Sequence, residues 1–127
     1  MGRIDSDTLY GTLSLLILQT LADEKLHGLE IQRRIHDTAG TSLQVEEGAL
    51  YPALHRLERD GFLSSDWGTS TKNRRAKFYA LTPAGSKHLL SAKAGWLAHV
   101  RAVLRVLNEP LEEALPEAFQ VAEGSRA

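Results

Sequence analysis

The stretch of sequence that decides the fold runs from Glu46 to Gly85 and reads EEGALYPALHRLERDGFLSSDWGTSTKNRRAKFYALTPAG. Helical spacing, then β-forming and aromatic residues around a polar turn, then Thr-Pro predict a helix, a hairpin and a new helix start. We predict a helix over Glu47–Asp60, followed by a strand over Phe62–Trp67 and a turn over Gly68–Arg75. A second strand over Ala76–Leu81 and a helix start at Thr82–Pro83 complete the stretch. This order predicts a helix that lies beside a charged hairpin.

The segments on either side complete a mainly α-helical domain. Two more helices are predicted upstream, over Thr8–Ala22 and Leu29–Ala39, because apolar residues recur there at helical spacing. We expect a polar connector over Asp23–Gly28 and a short strand over Ser42–Val45. Downstream, the helix that begins at Pro83 is predicted to run to about residue 108, followed by an acidic, frayed tail over 109–127.

Length and composition favour a single cytoplasmic domain. The 127 residues suffice for one core, and the chain has no Cys, which excludes disulfides and thiolate metal sites. We expect no membrane span, since the apolar run at residues 13–18 is too short to cross a bilayer. The net charge of −1 hides an uneven distribution: residues 67–108 carry eight basic side chains and no acidic one. A local basic segment of this kind is typical of phosphate binding.

The predicted third helix has one face for the core and one for a ligand. With Leu50, Leu54 and Leu57 inward, its small and polar residues turn outward or flank the outward face. Helices of this kind read the DNA major groove, and Arg is the side chain that contacts guanine through two bonds. The candidate DNA contacts on this helix are Tyr51, Pro52, His55, Arg56 and Arg59. Tyr51 is as consistent with a core position as with a contact.

The predicted hairpin turn carries the clearest charge signal. Four cations and an asparagine cluster where two strands meet, so their side chains are free to reach the phosphates that flank a groove. The candidate contacts on the hairpin are Lys72, Asn73, Arg74, Arg75 and Lys77. A helix and a hairpin equipped in this way predict double-stranded DNA as the partner.

Several motifs together resemble the PadR family of bacterial regulators. They are LHGLEI from Leu26, EEGALYPAL from Glu46, RLERDGFL from Arg56, RRAKFY from Arg74 and LTPAG from Leu81. The resemblance covers roughly residues 9–107. It implies a winged helix-turn-helix plus a C-terminal dimerisation helix, as in the short PadR subfamily. It also implies a dimeric repressor of a (pseudo)palindromic operator that a small molecule releases. The corresponding parts are 1–85 for DNA binding, 82–108 for dimerisation and 109–127 for the tail.

The last predicted helix carries more apolar surface than one small domain can bury. One stripe steps by 7, 4, 3 and 4 residues, a heptad-like spacing that favours a second helix. The predicted homodimer interface consists of Leu89, Trp96, Val100, Val103 and Leu107. In some short PadR relatives a Trp of this helix lines a flat ligand site at the centre of the dimer, and the resemblance implies a similar site at Trp96. We therefore expect a planar aromatic or phenolic effector to contact Trp96, with Ser14 and Leu15 beside it.

Two other classes of function compete with this interpretation. An enzyme is disfavoured because the five histidines form no H-E-x-x-H pair and no nucleophile-elbow glycine pattern is present. We accordingly predict no metal and no cofactor. A winged-helix module for protein interaction, without sequence-specific DNA binding, is the remaining alternative. Intact cations at the hairpin argue against it.

Overall fold

The computed structural model describes the backbone of residues 6–110 and the side chains of residues 12–110. Four helices are present in this part of the chain: α1 (Ser6–Thr20), α2 (Gly28–Ala39), α3 (Glu47–Arg59) and α4 (Pro83–Val106). A short 3₁₀ turn, Gly40–Ser42, follows α2. Three strands, β1 (Leu26–His27), β2 (Leu63–Thr69) and β3 (Arg75–Leu81), form one antiparallel sheet in the order β1-β3-β2. The predicted fold class is confirmed: a mainly α winged helix-turn-helix with a small β-hairpin and a C-terminal helix.

The chain divides into two compact units, with the boundary between Ser91 and Ala92. In the first unit the helices and the sheet share one apolar core. The largest fully buried side chains of this core are Ile17, Leu18, Ile31, Leu50 and Leu54. Among the described residues of the second unit, which all belong to α4 and the turn after it, no side chain is buried. No helix in the described part of the chain is both long and apolar enough to cross a membrane.

Left-handed backbone at two glycines ends two of the helices. Gly40 follows α2 with φ 70° and Gly61 lies just past α3 with φ 85°, a region that only glycine adopts without steric cost. At the start of α4, the Thr82 hydroxyl accepts a hydrogen bond from the N–H of Gly85 at 2.9 Å, and Pro83 is the first helical residue. The helix start predicted at Thr82-Pro83 is therefore confirmed.

The short strand predicted over Ser42–Val45 is wrong. The backbone there is irregular after the 3₁₀ turn, and side chains of α2 take the place of a partner strand. The N–H of Val45 donates to His36 Nε2 at 3.2 Å, and its carbonyl accepts from Gln32 Nε2 at 2.6 Å. Val45 is buried, so both backbone groups need such partners.

The connector predicted over Asp23–Gly28 instead contains a strand. Leu26 pairs with Tyr79 and His27 with Phe78, which places β1 along the free edge of β3. The other helix and strand boundaries differ from the predicted ones by one or two residues. The predicted tail lies outside the described residues from position 111 onward.

Candidate nucleic-acid interface

Helix α3 presents the predicted outward face. Leu50, Leu54 and Leu57 are buried, whereas Gly48, Pro52, His55 and Arg59 are all exposed. Pro52 has no N–H to donate to the carbonyl four residues earlier, so one backbone hydrogen bond of α3 is absent at this point. The residues at the start of this face, Gly48 and Ala49, are small, which permits the helix backbone to approach a DNA groove closely.

Tyr51 lies at the edge of that face and also packs inside the domain. A Cβ on Gly28 would come within 2.8 Å of the Tyr51 ring, so a larger residue at the start of α2 would require this ring to shift. Burial, with a smaller contribution from Glu47, raises the pKa of the Tyr51 hydroxyl. The two interpretations of Tyr51 are thus compatible, because the ring packs on α2 while its edge lines the outer surface.

The two arginines of α3 have different surroundings. Arg56 is half-buried, and its Nη2 donates to Ser14 Oγ of α1 at 3.5 Å, a marginal hydrogen bond. Arg59 is exposed, and its Nε lies 3.5 Å from the carboxylate of Asp60. The arginine on the outward face is therefore Arg59, whereas Arg56 points toward α1. Leu15, the other residue predicted beside the effector, packs half-buried against the core.

The hairpin closes through a tight turn that exposes its cations. Asn73 N–H donates to the Ser70 carbonyl at 2.9 Å, and Asn73 then adopts a left-handed φ of 60°. Asn tolerates this conformation better than most residues, and a left-handed residue after such a turn is typical of three-residue hairpin loops. Lys72, Asn73 and Arg74 are exposed at the tip.

Further along β3 the cations have partners. The Arg75 guanidinium lies over the ring of Trp67, with its Cζ 4.4 Å from the ring centroid. Lys77 Nζ is 3.6 Å from Glu58 of α3 and 5.7 Å from the centroid of Tyr79. Glu58 also accepts a hydrogen bond from Ser65, so one carboxylate joins α3 to both strands of the hairpin. Lys77 is thereby partly neutralised.

A groove of about 370 Å³ runs between α3, the start of α2 and the inner face of the hairpin. Its walls combine cations, aromatic rings and apolar side chains, among them Leu29, Tyr51, His55, Trp67, Arg75 and Lys77. At its base the Tyr79 ring is buried, and burial together with Glu58 and Tyr51 raises the pKa of its hydroxyl. Two candidate residues of α3, Tyr51 and His55, thus meet two of β3, Arg75 and Lys77, on one concave surface. The other candidates do not line this groove: Pro52, Arg56, Arg59, Lys72, Asn73 and Arg74.

Comparisons with known proteins identify the family. The model of the transcriptional regulator PadR-like family matches residues 17–91. The chain belongs to this family. The PadR resemblance predicted from the motifs is confirmed, and the protein is a DNA-binding transcriptional regulator.

The relatives of this PadR-like regulator cover most of its length. A transcriptional regulator from Clostridium thermocellum has a TM-score of 0.71 and 28% identity, covering 81% of this chain and 97% of that one. A PadR-like transcriptional regulator from Bacillus cereus has a TM-score of 0.67 and 26% identity, covering 80% and 97%. The transcriptional regulator Rv3488 of Mycobacterium tuberculosis is 38% identical over 71 residues, 56% of this chain and 63% of the relative.

Six residues that line the groove of the PadR-like regulator were not predicted as site residues: His27, Gly28, Leu29, Trp67, Ala76 and Tyr79. Trp67 was detectable, since counting back from the turn pairs it with Lys77 and puts both on one face of the hairpin. Leu29 and His27 depend on how β1 and α2 meet β3, which no local pattern shows. His27 Nδ1 caps α2 by accepting from the N–H of Glu30 at 3.4 Å, and its ring stands edge-on to Phe78.

Helix α4 differs from its predicted role at one position. Leu89 is buried in the core of the first unit, so it is not available to a partner chain and we remove it from the predicted interface. Trp96 and Val103 are each 41% exposed, Leu107 is 62% exposed and Val100 is half-buried. These four remain candidates for contact with another chain.

Proposed function

We propose that this PadR-like regulator is a dimeric repressor that binds a (pseudo)palindromic operator and is released by a small-molecule effector. The observation that carries the proposal is the groove, which Tyr51 and His55 of α3 line together with the hairpin cations Arg75 and Lys77. In this arrangement α3 enters a major groove and the hairpin reaches the flanking phosphates. The assignment of residues 1–85 to DNA binding and 82–108 to dimerisation belongs to the same proposal.

The contacts divide by chemistry. His55 and Arg59 face outward on α3 and are the proposed readers of base edges, with Tyr51 and Pro52 shaping the approach. Lys72, Asn73, Arg74 and Arg75 are the proposed phosphate contacts. Lys77 contributes less because Glu58 lies beside it, and Arg56 contributes by holding α3 against α1.

The decisive experiment removes two hairpin cations and compares the result with an equal loss of charge elsewhere. We expect Arg74→Ala with Arg75→Ala to weaken binding to all duplexes alike. The slope of log K against log salt should fall by roughly one unit per lost phosphate contact. Lys87→Ala with Lys93→Ala is the matched control, since both lysines are exposed on α4 and lie in the same basic segment.

The competing function, a protein-interaction module, is separated by the same measurement. Filter binding to random duplex at low salt should show clear retention of the wild type, because the exposed cations at the tip act without sequence preference. A wild-type protein that leaves the duplex unbound under these conditions would favour the module. Footprinting then tests the dimer: two half-sites about one helical turn apart, ~34 Å, are expected.

The effector proposal rests on Trp96. A partly exposed indole on an apolar helix face offers a flat surface on which a planar aromatic or phenolic molecule stacks. In a Trp67→Phe background Trp96 is the sole tryptophan. Its fluorescence should be quenched by such a ligand and operator binding should weaken in parallel. A Trp96→Ala variant that stays dimeric yet keeps the response would place the effector elsewhere.

A further inference from the structure

Trp67 is an exposed aromatic side chain that the core does not explain. It lies in β2 directly opposite Lys77, and 61% of its surface is exposed to solvent. Arg75 lies opposite Thr69, two pairs closer to the turn, so it is diagonal to Trp67 on the same face of the hairpin. The stack of Arg75 on the Trp67 ring is a consequence of this register.

The stack leaves the guanidinium ready to bind an anion. A guanidinium that covers an aromatic face keeps its N–H donors at the edge of the plane, in the fork that matches a phosphate. Both Trp67 and Arg75 line the groove beside His55 and Tyr51. Among the residues that the structure describes, Lys77 pairs with Glu58, whereas no ion pair neutralises Arg75.

Without the Trp67 ring beneath it, the Arg75 side chain would lose more conformational entropy when it binds a ligand. Arg carries a large side-chain entropy, and ordering such a side chain at an interface opposes binding. Lys72 and Arg74 at the hairpin tip make no aromatic stack among the described contacts. Arg75 is thus the hairpin cation that an aromatic ring holds in place while no carboxylate of the described residues pairs with it.

We propose that Trp67 is a positioning residue for DNA binding: its indole holds the Arg75 guanidinium in the groove so that the free N–H edge meets one backbone phosphate. This inference rests on the proposed role of the hairpin in phosphate contact and names the residue that prepares it. Trp67 acts through Arg75, so its removal should matter only while the arginine is present.

The test measures duplex affinity at several salt concentrations for Trp67→Leu, Trp67→Phe, Arg75→Ala and the Trp67→Leu/Arg75→Ala pair. Trp67→Leu should weaken binding about two- to five-fold, the range expected for an exposed cation–π contact. Its salt slope should stay close to that of the wild type, because the charge of Arg75 remains. Arg75→Ala should lower the slope by about one unit. Trp67→Phe, which keeps an aromatic face, should restore most of the affinity.

The double variant decides whether the two residues act together. We expect its affinity to match that of Arg75→Ala alone, whereas independent contacts would multiply their losses. Losses that multiply, or a Trp67→Leu variant with wild-type affinity, would overturn the inference. A change in the salt slope on Trp67→Leu would also overturn it.

Two readouts separate this inference from its neighbours. Both side chains are exposed, so the unfolding temperature of free Trp67→Leu should match the wild type, and a large drop would show a structural role instead. The wild type itself tests the proposed function: absence of any duplex binding would refute hairpin–DNA contact altogether. Ordinary wild-type binding with uncoupled variants would refute only the positioning role.

Discussion

The two parts of helix α4 lie in opposite environments, and the more apolar part is the more exposed one. Residues 83–91 belong to the first unit, where Gly85 and Leu89 are buried and His88 stacks on Phe62 at 4.1 Å. Residues 92–106 belong to the second unit, and none of their side chains is buried, although they include Trp96, Leu97 and Val103 at 41–42% exposure. Apolar periodicity therefore predicted a helix throughout but did not predict which part would pack within its own chain.

The difference shows where each part obtains its stability. Contiguous exposed apolar surface on a small protein marks a site of association, because burying it against a partner removes apolar area from water and so favours binding. We infer that residues 83–91 stabilise the monomer fold and that residues 92–107 act through a second copy of the chain. Substitutions in the two parts should accordingly change different measured quantities.

The largest expected effect comes from placing charge on the exposed apolar side of α4. Val103→Glu with Leu107→Glu should convert the protein to a monomer in sedimentation. Operator affinity should fall by about 10²–10⁴-fold, because two linked half-site contacts become independent. The matched control is Ala94→Glu with Ala98→Glu, which adds the same charge at exposed positions on the opposite side of the helix. If both pairs dissociate the dimer equally, charge repulsion and not the apolar side is responsible.

A second effect compares adjacent leucines of α4. Leu89 is 6% exposed and Leu90 is 70% exposed. We expect Leu89→Ala to lower the free energy of unfolding by ~2–5 kcal/mol through lost packing, and Leu90→Ala to change it by less than about 0.5 kcal/mol. Denaturant unfolding of the Val103→Glu/Leu107→Glu background would measure this without the contribution of association. Equal costs at the two positions would contradict the assignment of residues 83–91 to the monomer core.

The third effect compares two glycines of the same helix. A Cβ on Gly85 would lie 2.0 Å from the carbonyl oxygen of Phe62, whereas a Cβ on Gly95 meets nothing within 4 Å. Gly85→Ala should therefore destabilise the fold by about 1–3 kcal/mol, since a backbone carbonyl cannot move aside cheaply. Gly95→Ala should stabilise the helix by up to ~1 kcal/mol through the better helix propensity of Ala. Thermal unfolding of both variants tests the pair. A destabilised Gly95→Ala dimer would show close approach of a partner helix there.

Local sequence patterns predicted most of the fold because the periodicity and the end residues of most helices and strands lie within the elements themselves. The buried stripe of α3 and the Thr82-Pro83 start each depend on residues within a few positions. Strand β1 was missed because two residues, Leu26 and His27, carry no period, and their pairing depends on the free edge of β3. The strand predicted near Val45 failed for the converse reason, since Gln32 and His36 of α2 satisfy its backbone.

The candidate site was predictable as a set of residues but not as an arrangement. Residue type and spacing selected His55 and the hairpin cations, which lie on the groove or at the hairpin tip, and Arg59, which is exposed at the end of α3. Whether a basic side chain is available to contact a phosphate depends on its contacts with other helices and strands, and residue spacing along the sequence does not show these. Arg56 contacts Ser14, and Lys77 pairs with Glu58. Arg75 instead stacks on an aromatic ring, which leaves its charge without a carboxylate partner among the described residues.

The smallest expected effect lies on the surface of the first unit, at Glu30 in the first turn of α2. Burial alone would raise the pKa of Glu30, but hydrogen bonds from Arg33 and Arg34 outweigh it and hold the pKa below the ordinary value of 4.5. A lowered pKa in the folded state favours the carboxylate. Its stabilisation is therefore complete above the unfolded-state pKa and is lost as the pH falls through the folded-state pKa.

Glu30→Gln should accordingly reduce the free energy of unfolding at pH 7 by less than about 1 kcal/mol, as is usual for exposed ion pairs. The difference between variant and wild type should disappear as the pH falls below the ordinary value of 4.5. Denaturant unfolding at a series of pH values measures it. If stability in the first unit comes from packing, Glu30→Gln must cost less than Leu89→Ala at every pH. A larger loss of unfolding free energy for Glu30→Gln than for Leu89→Ala would mean that ion pairs, and not the buried core, dominate the stability of the first unit.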